Sequence, residues 1–113
     1  MTIEAFIVKY LSERLDAPVS GDIPENRPAR FVTVEQTGSR FSNYVTTATV
    51  AVQSWAESRA EAMALNERVK AAMAEAASMA EISRCVPETD YNFPDLTSKT
   101  ARYQAVFEIV HFF

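Results

Sequence analysis

Four groupings in this chain have residue types that could do chemistry. The acidic stretch Glu88-Thr89-Asp90-Tyr91-Asn92-Phe93-Pro94-Asp95 offers oxygen ligands of the kind calcium takes. It lacks the sharp-turn glycine and the distal bidentate glutamate of an EF-hand loop, so it reads as a solvated loop with Asx turns. His111 carries the chain's one imidazole, and a general base needs a nucleophile and an orienting carboxylate beside it. No spacing suggests that triad, and the alternation around His111 turns it inward, as a histidine at the edge of the core. Cys85 falls inside a predicted strand with no obvious cation nearby, the setting of a small buried hydrophobe rather than a thiolate nucleophile. Trp55 stands where a strand meets a helix; there it could stack on a ligand, but it reads as a plug between helix and sheet. No enzyme constellation emerges, and no catalytic, cofactor-binding or metal-ligating set is expected.

Composition narrows the choice further. The chain has only two glycines, Gly21 and Gly38, which cannot build a glycine-rich phosphate cradle. A single cysteine excludes an intramolecular disulfide and any CxxC site, and it fits a reducing compartment. With 15 acidic against 11 basic residues the formal charge is −4, which argues against a protein held to nucleic acid by bulk electrostatics. At 113 residues, 48% hydrophobic and 23% charged, the composition is that of one soluble domain spanning residues 1–113. Glu4 precedes the first short apolar run, unlike the basic start of a secretory signal. No apolar stretch nears the ~20 residues of a membrane span. A cytoplasmic protein without a membrane partner is the expectation.

The elements that would carry these residues follow from periodicity. Ile3, Phe6, Ile7, Tyr10, Leu11 and Leu15 recur at spacings of three and four, which predicts an amphipathic helix capped by Thr2 and ended by Pro18. Residues 17–28 hold Pro18, Pro24 and Pro28 and read as a stiff extended linker. Arg30 to Thr37 alternates as a strand, residues 38–43 read as a loop, and Tyr44 to Gln53 as a second strand. Together they make a hairpin with a projecting tip. Ser54 and Glu57 have the spacing of a capping box, which predicts a long helix to about Met79. Ile82 to Val86 reads as a short strand closed by Pro87. The last strand turns Tyr103, Ala105, Phe107, Ile109 and His111 to one face. Arg102, Gln104, Val106, Glu108, Val110 and Phe112 take the other. The predicted fold is therefore α+β: a two-layer sandwich with a mainly antiparallel four-stranded sheet, two helices on one face and the order α-β-β-α-β-β.

That arrangement leaves a sheet face without a cover. Val106, Val110 and Phe112 lie on it, with Phe31 joining from the first strand, and exposed apolar patches of this kind mark association surfaces. The segment Arg40-Phe41-Ser42-Asn43-Tyr44 displays two aromatics and a cation, types that anchor interfaces. Arginine outnumbers lysine eight to three, and Arg27, Arg30, Arg40 and Arg102 fall in or beside loops and strand ends. Ordinary surface charge and interface recognition both account for them, since interfaces favour arginine. The residues alone point to a subunit of a homo-oligomer.

Three pieces of the chain, in order, carry a resemblance. They are Val19-Ser20-Gly21-Asp22-Ile23-Pro24-Glu25-Asn26-Arg27-Pro28-Ala29-Arg30-Phe31-Val32-Thr33-Val34-Glu35, then Gln53-Ser54-Trp55-Ala56-Glu57-Ser58-Arg59-Ala60-Glu61-Ala62, then Ala101-Arg102-Tyr103-Gln104 after the Pro94-Asp95 loop. Together they resemble the tail completion proteins of tailed bacteriophages and prophages, also called tail terminator or head–tail joining proteins. The family often has further glycine after the position of Gly38, where this chain has Ser39-Arg40. The resemblance implies a structural, non-enzymatic protein without cofactors. It would form a homo-oligomeric ring, typically a hexamer, that ends the tail tube and meets the head connector. It would assemble in the bacterial host cytoplasm and reside in the virion neck. Closed rings need two complementary patches per subunit. One is expected on the outer sheet face (Val106, Val110, Phe112) and the other on the arm from Pro24 to Arg30.

Two other classes are compatible with such a sandwich. A small oligomeric ligand-binding or catalytic domain would use a cleft between Trp55 and the acidic loop. A nucleic-acid module would stack bases on Tyr103, Phe107 and Phe31, against the negative charge balance.

Overall fold

The first helix forms as its pattern dictates, in a computed structural model that describes residues 1–113. In α1 (Ile3–Ser12) the Thr2 hydroxyl accepts from the Ala5 amide at 3.1 Å, and Ile3, Phe6, Ile7, Tyr10 and Leu11 are buried. The remaining elements are β1 (Val19–Ser20), β2 (Arg30–Ser42), β3 (Val45–Ala56), α2 (Arg59–Ala74), a single 3-10 turn at Ala76–Ser78, β4 (Ile82–Asn92) and β5 (Ala101–His111). The strands form one mixed sheet in the order β1-β2-β3-β5-β4; β1 lies parallel to β2 and every other pair is antiparallel.

Both helices cover one face. Ile7 and Leu11 of α1 and Leu65, Val69 and Met73 of α2 share a single buried cluster with Val32, Val34, Val50, Val52, Phe107 and Ile109. The α+β two-layer architecture and the inward face of β5 thus match the expectation. The sheet has five strands rather than four, and the order gains a strand after α1. The proline-bearing segment is extended, as anticipated, but its first residues pair with β2. Pro18 O accepts from the Val32 amide at 2.8 Å, and Val19 lies opposite Val32.

Four further expectations are corrected. Residues 38–42 belong to β2, and the hairpin turns on Asn43 and Tyr44 alone, with Ser42 opposite Val45. Both turn residues have positive φ (53° and 63°), the geometry whose twist matches a two-residue hairpin. β4 does not stop at Pro87 but runs to Asn92, so Glu88 to Asn92 is strand rather than acidic loop. It survives proline because β4 is an edge strand and its register shifts between Pro87 and Thr89.

The helix cap sits at Ser58, not Ser54. Ser58 Oγ accepts from the Glu61 amide at 3.2 Å and donates to the Glu61 carboxylate at 2.9 Å. Ser54 stays in β3 opposite Val32 and Tyr103. Trp55, one residue on, faces away from both helices, opposite Phe31 and Arg102. It is fully buried nevertheless, beneath other segments of the chain.

Candidate assembly surfaces

The β2–β3 hairpin outruns the rest of the sheet. β1 reaches only Val32 and Thr33, and β5 pairs with β3 no further than Thr47 opposite Val110. Residues 37–46 therefore form a two-stranded ribbon with both edges unpaired, on a molecule 43 Å long and 25 Å wide. A bulge between Gln36 and Gly38 marks its base. At its tip Phe41 is 70% and Tyr44 94% exposed, their rings edge to face at 6.4 Å. Nothing in the same chain covers them.

Behind the tip, Arg40 reaches across β3 to β5. Its guanidinium donates to both oxygens of Glu108, at 2.7 and 3.0 Å. These bonds hold the Glu108 carboxyl below its ordinary pKa and raise that of Arg40. The pair braces the ribbon against the sheet. Val106 and Val110 are half-buried on this outer face, and they do not form a continuous apolar patch. A row of polar side chains crosses the same face: Gln53 Nε2 donates to Gln104 Oε1 at 2.7 Å, and Gln104 Nε2 donates to the Tyr91 hydroxyl at 2.5 Å.

The far end of the outer face is closed by the chain itself. Phe31 and Trp55 stack with centroids 5.3 Å apart. The Arg102 guanidinium lies 4.6 Å from the Trp55 ring and 4.0 Å from that of Phe93, and its Nε donates to Phe93 O at 2.6 Å. Arg27 adds a second cation 5.3 Å from Trp55 and ties the arm to the β4–β5 loop through Ser98 at 3.0 Å. In that loop, hydrogen bonds from Ser98 and Thr97 hold the Asp95 carboxyl far below the usual carboxylate range. Phe31 is 1% exposed, so it contributes no free surface. Arg30 is occupied too, 3.2 Å from Asp16. Of the residues singled out from sequence, Phe41, Tyr44 and Phe112 (73% exposed) remain free.

One feature had no sequence signal. Beyond β5, Phe113 folds back over α1, 5.2 Å from Phe6 and 4.4 Å from His111. This contact frames an apolar recess of about 330 Å3 whose walls include Phe6, Tyr10, Met79 and Phe113. The tertiary fold, not local periodicity, brings these residues together.

His111 sits beside the core with its Nδ1 buried and unpaired. Cys85 is half-buried, and burial pushes its thiol pKa up to about 11. No three His, Cys, Asp or Glu side chains are grouped to hold a metal ion, and no helix is long and apolar enough to cross a membrane. No family model matches the chain, and no curated protein matches it.

Proposed function

We propose that this chain is a structural phage or prophage neck protein, a ring-forming subunit that ends the tail tube and joins tail to head. The observation that carries the reading is the ribbon 37–46, which lifts Phe41 and Tyr44 clear of a well-packed body. An aromatic pair held in water on a braced hairpin is a binding element, because aromatics supply large contact area at low entropic cost. The resemblance of the sequence to tail completion proteins supplies the identity of the assembly. In this role the body is scaffold, the ring is homo-oligomeric, and the partners are tail tube and head connector proteins in the host cytoplasm and then in the virion. Catalysis has no part in it.

Light scattering across a range of protein concentrations tests the first half. A rise toward a closed ring of a few subunits is expected, six by the resemblance. Addition to growing tail tubes tests the second half, with arrest of tube growth the expected result. A monomer at every concentration that also leaves tube growth unchanged would refute the proposal.

A further inference from the structure

A ring built from one chain needs a plug and a socket that differ, so that each copy grips the next. The ribbon supplies a plug. A lone two-stranded ribbon is marginally stable in water, and this one carries Phe41 and Tyr44 uncovered at its tip. The recess between α1 and the residues after β5 supplies a socket. Its volume of about 330 Å3 lies at the small end of ligand pockets and suits a pair of rings. The charges around the recess balance, Lys9 and Arg14 against Glu13 and Glu81, so the match rests on the size and apolar walls of the recess.

We infer that Phe41 and Tyr44 of one copy insert into the recess lined by Phe6, Tyr10, Met79 and Phe113 of a neighbouring copy, an inference that rests on the self-assembly reading above. The area involved sets the strength. At about 200 Å2 per aromatic side chain, the exposed parts of Phe41 and Tyr44 offer roughly 300 Å2, well short of the ~800 Å2 per partner in a stable pair. One contact alone is therefore weak. A closed ring is held better, since removing a subunit breaks two contacts at once. Assembly should then depend steeply on concentration.

Sedimentation velocity on the full chain and two sets of variants tests the contact. In the plug variant Phe41→Ser/Tyr44→Gly, glycine suits the positive φ of residue 44, so loss of assembly cannot be blamed on a broken turn. Assembly should require at least tenfold higher concentration, while the melting temperature of the monomer is not lowered. The socket variant Phe113→Glu should fail in the same way, and Met79→Glu provides a second version should Phe113→Glu unfold. Mixing plug and socket variants leaves one good contact per pair, so dimers and nothing larger should appear at high concentration. A plug variant that assembles like the parent chain would overturn this contact and leave the ring standing. A mixture that stays monomeric would remove the recess as the socket. A parent chain that is monomeric throughout would overturn self-assembly, and this contact with it.

Discussion

Replacing Thr33 by Val isolates one hydrogen bond on which the closed end of the sheet depends. The Trp55 indole N–H is fully buried and donates to Thr33 Oγ1 at 3.0 Å; that hydroxyl in turn donates to Gln53 Oε1 at 2.8 Å. Valine keeps the shape and suits a strand, so packing changes little. It leaves the indole donor without an acceptor, at a cost of about 1–3 kcal/mol. Gln53 is only half-buried and can find water, so its loss is minor. With about 2 kcal/mol lost, a domain of this length should melt roughly 8 °C lower. Thr33→Ser keeps the hydroxyl and removes one methyl, so it should cost below about 1 kcal/mol. Urea unfolding followed by the fluorescence of the single tryptophan reads both, at a concentration where the chain is monomeric, because assembly adds apparent stability. A Thr33→Val chain within about 0.5 kcal/mol of the parent, or Thr33→Ser as damaging as Thr33→Val, would show that the indole does not rely on this hydroxyl.

Three other outcomes follow from the same geometry. Because Arg40 lowers the pKa of Glu108 in the folded state, the pair stabilises above the ordinary carboxylate pKa, and that contribution fades as pH falls through the lower folded value. Arg40→Ala should return the Glu108 titration toward the ordinary range, read by NMR; an unchanged titration would contradict the bidentate bond. Cys85, with its pKa raised by burial to about 11, should react with iodoacetamide at pH 8 far more slowly in the folded chain than in urea, and equal rates would contradict its burial. Leu65→Ala should cost about 3 kcal/mol, since the side chain is completely buried between α2 and the sheet, and a loss below about 1 kcal/mol would place it outside the core.

What the sequence revealed of the fold depended on whether a signal was local. The Thr2 cap, the stripe of α1 as far as Leu11 and the alternation of β5 are each complete within a dozen residues and formed as read, although α1 ends at Ser12 and leaves Leu15 outside the helix. Ser-x-x-Glu starts at both Ser54 and Ser58 ahead of the long helix, and spacing cannot choose between them. Strand pairing decides, because Ser54 is held between Val32 and Tyr103. Trp55 follows from that choice. Extending β3 by two residues puts Trp55 in phase with Ala51 and Gln53, opposite to Val50 and Val52, so parity carried past Gln53 would have turned it to the outer face. Its cover by Arg102 and Arg27 joins positions 47 and 28 residues away, which no local pattern encodes. The same holds for the recess. The exposed aromatics Phe41 and Tyr44 were readable from residue types, whereas the strands that lift them were not, because Asn43-Tyr44 lacks the glycine that usually announces a two-residue turn.

The places where local chemistry and structure disagree are informative in themselves. At many places in the chain local choices agree with the fold: both helices have side-chain caps, proline lies on an edge strand, and the buried indole has its acceptor. At the ribbon tip several choices run against stability together. A tyrosine adopts positive φ, which costs an L-residue about 1 kcal/mol or more, and two aromatic rings stand in water. Glycine at position 44 would relieve the backbone and remove a ring, so on stability alone Tyr44→Gly should be an improvement. Conflicts of this kind are expected where a protein does its work. A tip that gives up stability to hold two rings in the open fits the proposed assembly, in which a partner would take them up.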